Sequence, residues 1–280
     1  MNWAALDPGL LGWPFAAGLL VLATHVPLGR RVLARGIIFL DLAIAQIAVL
    51  GVIAAHALGW ETQGWQTQLA AAAAALAGAA FLARCEERWP EIQEALIGSS
   101  FAVAASLAVL LLAGDPQGGE HLNALLAGQI LWVGPPQLAQ IAAVYALLLG
   151  FWRLRGERLG RLGFYLIFAL AITASVQLVG VYLVFASLIL PALAVRGRPP
   201  RAGLVAGWSI GALAYAAGLT ASALLDWPAG PAIVIALAAL ALAGGRLLRL
   251  PQRGDSASIP TDSVNRTHIR GSSVFQKRQG

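Results

Sequence analysis

The chain has 280 residues, of which 59% are hydrophobic and 11% are charged, and its formal net charge is +6. Soluble domains carry about 25% charged residues and about 45–50% apolar ones, so the composition excludes an ordinary soluble domain. The basic residues lie in short joints between apolar blocks, where membrane topology explains them before binding of nucleic acid does.

Apolar blocks long enough to cross a membrane follow one another along most of the chain. A crossing helix needs about 20 apolar residues. The blocks predict nine crossings, at residues 10–28, 37–59, 66–83, 95–113, 136–151, 162–178, 180–195, 202–224 and 229–248. We therefore expect an all-α polytopic membrane protein, with a transmembrane domain over 1–250 and a disordered polar tail over 251–280.

Two stretches interrupt this regular pattern. Residues 162–195 form one long apolar run that Gln177, Gly180 and Pro191 interrupt, and two short crossings keep all basic joints on one side. Residues 122–134 are too short to cross and end at a Pro-Pro pair, so they predict an interfacial or re-entrant piece. Such broken helices are tolerated where protein or a water-filled cavity covers the freed backbone groups.

The charge of the joints predicts the orientation of the chain. Arginines occupy alternate joints, whereas the intervening joints at 1–9, 60–65, 114–121 and 225–228 carry acidic residues and neither lysine nor arginine. By the positive-inside rule, the N-terminus lies outside and the C-terminus in the cytoplasm. The first apolar block has no basic residue before it, so we expect a retained first crossing rather than a cleavable signal peptide.

The second crossing carries two polar residues, Asp41 and Gln46, in an otherwise apolar helix. A carboxylate inside a span is costly and usually faces a cavity or the bundle interior. Asp41 shares a helix face with small residues, namely Ala45, Ala48, Val52 and Ala55. This face is typical of a narrow pathway or of close helix packing, while pairing of Asp41 with Arg30 or Arg31 is the structural alternative.

Other polar or small residues allow both a structural and a functional interpretation. Gln177 is suited to capping backbone groups at the Gly180 break, and His56 to the outer membrane interface. The acidic outer joint with Asp115, Glu120 and His121 is either solvated surface or a region that attracts cations or meets a binding protein. The glycine ladder Gly203, Gly207 and Gly211 favours close helix packing, within one subunit or between two.

Sequence motifs of common enzymes are missing. The chain has no GxxxxGK[ST], HExxH, CxxC or GxSxG motif, and its single cysteine excludes a disulfide framework. A catalytic function therefore has little support, and any ATP hydrolysis is expected from a separate protein.

Four blocks of the chain carry recognisable motifs. The run 171–194 is similar to a VGxLLVxAxLxxPAxxA pattern, and 226–234 to a D-x-P-x-G-P-x-I pattern. With the runs 93–98 and 125–131, which match two further blocks in the same order, they resemble the zinc/manganese/iron ABC importer permeases. The resemblance covers roughly residues 10–250 and implies the cobalamin-importer-like (type II ABC importer) architecture in a bacterial inner membrane.

The resemblance implies a homodimeric permease embedded in lipid. Its cargo would be a divalent transition metal cation, zinc or manganese, and no cofactor would be stably bound. Its expected partners are a cytoplasmic ATP-binding subunit and an extracytoplasmic metal-binding protein, without nucleic acid. The family's second-span motif carries an Asp and a His thought to contact the cation. Asp41 matches the Asp, whereas Ala45 or Gln46 stands at the His position. The implied metal residues are therefore Asp41 and Gln46.

The expected contact with the ATPase lies in the short basic joint before the sixth crossing, at Arg155, Glu157, Arg158 and Gly160. Family members usually have a longer segment here. A membrane interaction or scaffold protein that kept the permease fold without transport is therefore the alternative function. A secondary transporter has less support, because the hydropathy shows no inverted repeat.

Overall fold

The computed structural model describes residues 7–61, 64–113, 115–155 and 160–247. Every regular element in these ranges is helical. The α-helices are α1 (Pro8–Arg35), α2 (Leu40–Ala57), α3 (Trp65–Arg88), α4 (Gln93–Leu112), α5 (Gly118–Ala127), α6 (Pro135–Arg155), α7 (Arg161–Val179), α8 (Val181–Ala194), α9 (Pro200–Leu225) and α10 (Ala229–Leu247). The expected tail, 251–280, lies outside the described residues.

The helices follow the predicted apolar blocks closely. Within the described ranges, seven helices are long and apolar enough to cross a membrane, and Val181–Ala194 and Ala229–Gly245 are shorter apolar helices. The all-α membrane fold is thereby confirmed, while the count of nine crossings stays a prediction. Several helices extend beyond their apolar block; α3, for example, continues to Arg88, where its polar last turn leaves the apolar region.

The start of the second crossing differs from the prediction, which placed it at residue 37. Gly36 takes a left-handed conformation, with φ 75°, and its N–H caps the carbonyls of Val32 and Leu33 at the end of α1. The following turn delays α2 until Leu40. Asp41 consequently stands in the first turn of its helix instead of about 6–8 Å inside it.

Helices α1, α2, α7 and α8 supply most of the buried core. Helix α2 packs against α3, α4 and α7, while α1 packs against α8 and α9, and α10 packs against α8 and α9. In contrast, α4 and α6 expose most of their apolar side chains, including Leu110, Leu147 and Leu154. Apolar faces of this kind suit a lipid environment.

The predicted irregular piece at 122–134 is a short helix followed by a 3₁₀ turn. Helix α5 ends at Ala127, and residues Ile130–Trp132 form the turn before α6 begins. Helix α5 packs against α8, α7 and α4. Residues 118–132 therefore pack against the bundle as a short helix and a turn, and do not form a long helix.

The long apolar run is broken at Gly180, as the sequence predicts. Gly128 and Gly180 have φ of 75° and 80°. They lie back to back: a Cβ on Gly128 would stand 2.1 Å from the Val179 carbonyl oxygen, and one on Gly180 2.3 Å from the Gly128 nitrogen. Only glycine allows both this conformation and this approach. Gly230 completes the contact, since its Cβ would meet the Ala127 carbonyl oxygen at 2.5 Å. We call these three residues the glycine crossing.

The glycine ladder of α9 packs against α1 within the same chain. Added Cβ atoms on Gly207 and Gly211 would overlap the side chains of Val26 and Leu22, at 2.7 Å and 2.5 Å. Gly203 leaves room for the Arg30 side chain, which a Cβ would meet at 2.1 Å. The structure therefore supports packing within one subunit for this ladder.

Candidate functional site

Asp41 is a fully buried acid at the beginning of α2. Its exposed fraction is 0%, and neither carboxylate oxygen has a hydrogen-bond partner among the described residues. The N–H groups of Asp41 and Leu42 lie near the carboxylate, but not in hydrogen-bonding geometry. The positive end of the α2 dipole still favours a negative charge at this position. Within the described ranges, Asp41 is thus an acid without a fixed hydrogen-bond partner.

The arginines proposed as structural partners of Asp41 make other contacts. The guanidinium of Arg30 donates hydrogen bonds to the carbonyls of Pro200 and Arg198, at 2.8 and 2.9 Å. Arg31 lies over the ring of Trp152, 4.3 Å from its centroid. The expected ion pair with Asp41 is therefore not formed in the described part of the chain, because the arginines point toward the α8–α9 joint and α6.

The small face of α2 is buried together with Asp41. Ala45, Ala48 and Ala55 are each at most 2% exposed, and Gln46 is 3% exposed. Asp41 and Gln46 still point to different sides of the helix, since five residues correspond to about 140°. The structure therefore buries both expected metal residues but does not bring them together around one point.

A buried polar cluster inside the bundle was not predicted from the sequence. The Nδ1 of His25 lies 3.0 Å from the Val21 carbonyl oxygen, so it carries the proton, and 3.0 Å from the Thr24 hydroxyl. The Tyr145 hydroxyl contacts Ser175, and the Tyr215 hydroxyl lies 2.8 Å from the Ser187 hydroxyl. His25 Nε2 is buried without a hydrogen-bond partner in the described residues.

These residues come from helices far apart in sequence, which is why spacing alone misses them. The four histidines of the chain are scattered, and single hydroxyl residues within apolar blocks more often satisfy their own helix. The one usable signal is the presence of a histidine and two tyrosines inside apolar blocks, because such residues need a buried partner. The Tyr145 hydroxyl also lies near Thr24 and Tyr215, so the cluster joins α1, α6, α7, α8 and α9.

At the opposite end of α2, His56 contacts the acidic joint. His56 Nε2 lies 3.9 Å from a carboxylate oxygen of Asp115, and both side chains are partly exposed. Glu120 is exposed on α5. In the described residues no group of three or more His, Cys, Asp or Glu side chains is arranged to hold a metal ion. This joint is thus partly solvated acidic surface.

Among the described residues, the side chain of Gln177 does not cap the break at Gly180. The break is closed by the Gly180 N–H, which donates to the Val176 carbonyl at 2.8 Å. Gln177 is only half-buried. The left-handed glycine caps the helix with its own backbone, so a side-chain amide is not required.

The expected ATPase contact falls partly outside the described residues. Arg155 is the exposed last residue of α6, and Gly160 is the exposed residue before α7. Glu157 and Arg158 lie outside the described ranges. Arg155 and Gly160 therefore flank a short joint at the end of the bundle where Arg153 and Arg161 also lie.

The sequence blocks that carry the resemblance meet at structural junctions. Gln93 donates to the Tyr165 hydroxyl, and the Glu94 carboxylate accepts the Ile38 N–H at 2.9 Å. The other three blocks supply Gly128, Gly180 and Gly230, which form the glycine crossing. These blocks therefore supply contacts at helix junctions. Unlike Asp41, the side chains of Gln93 and Glu94 have hydrogen-bond partners.

Comparisons with known proteins agree with this arrangement. PsaBC from Streptococcus pneumoniae in complex with Fab has a chain that matches with a TM-score of 0.67 and 22% identity, over 87% of this chain and 95% of that chain. A metal-chelate type ABC transporter in an inward-facing conformation matches with a TM-score of 0.61 and 16% identity, over 89% and 91%. At these identities the matches show the shared fold.

The family comparison covers nearly all of the helical part. The model of the ABC 3 transport family matches residues 9–159 and 154–245. Together these ranges run from the start of α1 almost to the end of α10, and they include all four sequence blocks. The chain is a multi-pass membrane permease and belongs to the ABC 3 transport family.

Proposed function

We propose that this chain is the membrane-spanning subunit of an ATP-driven importer of a divalent transition metal, zinc or manganese. Membership of the ABC 3 transport family supports the transport function. The similar fold of a metal-chelate type ABC transporter supports the metal as cargo. The observation that carries the site is Asp41, a buried carboxylate without a hydrogen-bond partner in the described residues.

The chemistry of Asp41 is suited to a transient cation contact. An unpaired buried carboxylate is costly, and a divalent cation offsets this cost by supplying the missing positive charge. Carboxylate and amide oxygens suit Mn²⁺, whereas Zn²⁺ favours imidazole or thiolate ligands. Asp41 is the principal proposed metal residue and Gln46 a second one on another side of α2.

The burial of Asp41 also constrains how the cation reaches it. The residue is enclosed by helices of its own chain, since α2 packs on α3, α4 and α7. A passing cation contacts the carboxylate only if α2 separates from one of these neighbours during transport. The proposal therefore requires alternating states of the bundle, which the ATPase drives.

The proposed complex contains two copies of this chain, a cytoplasmic ATPase and an extracytoplasmic metal-binding protein, in a bacterial inner membrane with the N-terminus outside. Arg155, Glu157, Arg158 and Gly160 form the proposed ATPase contact. The exposure of Arg155 at the end of α6 and of Gly160 before α7 supports this assignment.

Co-purification and uptake test the proposal together. The chain is expressed with the proteins of its neighbouring genes, purified in mild detergent and reconstituted into vesicles. We expect an ATPase to co-purify and to drive uptake of manganese or zinc. Glu157→Arg combined with Gly160→Trp should weaken the association. A wild-type chain that purifies without an ATPase and moves neither metal would favour the scaffold alternative.

A further inference from the structure

A polar cluster joins four helices at the end of the bundle where α7 begins. The Arg161 Nε lies 3.3 Å from the Glu86 Oε1, so the first residue of α7 forms an ion pair with the last turns of α3. One turn further along α7, the Tyr165 hydroxyl accepts a hydrogen bond from the Gln93 side chain at the start of α4. Glu86 also lies near this hydroxyl.

The first helix joins the same cluster from another side. The guanidinium of Arg35, the last residue of α1, lies 4.1 Å from the centroid of the Phe164 ring. Phe164 in turn stacks on Phe168, with ring centroids 5.8 Å apart. The first turn of α7 is therefore held by α1, α3 and α4 at once. We call Arg161, Glu86, Tyr165, Gln93 and Arg35 the α7 clasp.

The α7 clasp lies at the end of α7 that adjoins the proposed ATPase contact. Arg161 directly follows Gly160, and Arg155 ends the preceding helix. At its other end, α7 stops at the glycine crossing. Most of α7 is buried, so it connects the basic joint to the interior of the bundle as one continuous rigid element.

The ion pair contributes little as a stabilising contact. The Arg161 side chain is 41% exposed and that of Glu86 is 16% exposed, and pairs with this much solvent access add little to stability. Loss of the pair should therefore leave the melting temperature nearly unchanged, so that an effect on transport can be measured separately. One carboxylate oxygen of Glu86 forms this pair, and the other, Oε2, is buried without a hydrogen-bond partner in the described residues.

We propose that the Arg161–Glu86 pair links movement at the start of α7 to the α3 side of the bundle, so that ATP hydrolysis is coupled to transport. This inference rests on the proposed function, in which the joint contacts an ATPase. Arg161 and Glu86 are positioning residues: they touch neither nucleotide nor cation and act through α7 and α3.

The test measures how many cations are imported for each ATP hydrolysed. The complete complex, with its ATPase and binding protein, is reconstituted into vesicles, and manganese uptake and phosphate release are followed in the same sample. The variants are Glu86→Gln, Arg161→Gln and the double charge exchange Glu86→Arg with Arg161→Glu. Glu87→Gln is the matched control, since Glu87 is the exposed next residue of α3. Arg161→Lys retains the charge.

We expect the two single glutamine variants to lower the ratio of cations to ATP about threefold or more, in the range of measured coupling effects. Their ATPase rate and melting temperature should stay near those of the wild type. The charge exchange and Arg161→Lys should restore much of the ratio, and Glu87→Gln should leave it unchanged.

Other outcomes would overturn the inference. An unchanged ratio in both glutamine variants, or uptake and ATPase rate that fall together with the melting temperature, would show that the pair is only structural. Wild-type vesicles that hydrolyse ATP but import no cation would refute the proposed function itself, and the coupling role with it. The two failures are thus distinguished by the wild-type sample.

Discussion

Asp41 differs from the other buried polar residues because neither oxygen of its carboxylate has a hydrogen-bond partner in the described residues. Thr173 and Ser175, for example, donate to carbonyls one turn back in their own helix. Such local bonds satisfy a hydroxyl within a span without a tertiary partner. An ionised carboxylate has no hydrogen to donate, so it needs a donor or a cation from elsewhere to offset the cost of its burial. For Asp41, such a group must enter from outside its present surroundings.

Replacing Asp41 by asparagine tests whether its charge serves transport. Asp41→Asn keeps the shape and one acceptor oxygen but removes the charge. A contact with a charged group is worth about 1.5–3 kcal/mol, so we expect uptake to fall about 10- to 100-fold. Because an uncharged amide costs less to bury than a carboxylate, the melting temperature of the purified chain should be unchanged or higher.

Metal accumulation and thermal stability are measured on the same Asp41→Asn preparation, with Glu61→Gln on the exposed outer joint as the control. A joint loss of uptake and stability would indicate a structural partner that forms in another state of the bundle. Normal uptake together with normal stability would remove Asp41 from the proposed site.

At the scale of elements, the sequence predicts most of the helices because each crossing is encoded locally. An apolar block of sufficient length predicts a helix whatever its neighbours are, and the break at Gly180 and the short α5 follow from glycine, proline and length in the same way. Tertiary features are different. The clasp and the His25 cluster join residues up to about 190 positions apart, and no local pattern encodes which helices become neighbours.

The glycine crossing gives a prediction that concerns three elements at once. An alanine at 180 would have a strained left-handed backbone, and its Cβ would stand 2.3 Å from the Gly128 nitrogen. Strain and overpacking together predict a loss of about 2–4 kcal/mol in the free energy of unfolding. We expect Gly180→Ala to melt well below the wild type in detergent.

Gly150→Ala is the control for this substitution, because a Cβ at Gly150 meets nothing within 4 Å. Replacing an exposed helical glycine by alanine raises the free energy of unfolding by about 0.5–1 kcal/mol. This variant should therefore be as stable as the wild type or more stable. Equal melting temperatures for Gly180→Ala and Gly150→Ala would contradict the close approach at the crossing.

At the scale of the whole molecule, the orientation in the membrane remains a prediction from charge. Gln117 lies in the acidic joint before α5, and Gly197 in the basic joint between α8 and α9, and both are exposed. With Cys85 replaced by serine, single cysteines at these positions are treated with an impermeant thiol reagent on intact cells. We expect labelling of Gln117→Cys and none of Gly197→Cys, because arginine-rich joints stay in the cytoplasm.

Permeabilised cells supply the control, since both cysteines should react there. Labelling of Gly197→Cys in intact cells would mean that α7 and α8 together cross the membrane only once. All later joints would then be inverted, and the predicted cytoplasmic C-terminus would be wrong.

The pairing of α1 with α8 and α9 has a consequence for how the chain is made. Arg30 donates to the carbonyls of Arg198 and Pro200, and the glycine ladder of α9 receives Val26 and Leu22. Helix α1 thus obtains two of its main neighbours only after α8 and α9, which lie more than 140 residues further along the chain, have been synthesised. Contacts between segments distant in sequence form late and slowly, so α1 lies in the bilayer without these contacts until α9 has been made. In a chain truncated before α9, Arg30 would lack its acceptor at Pro200.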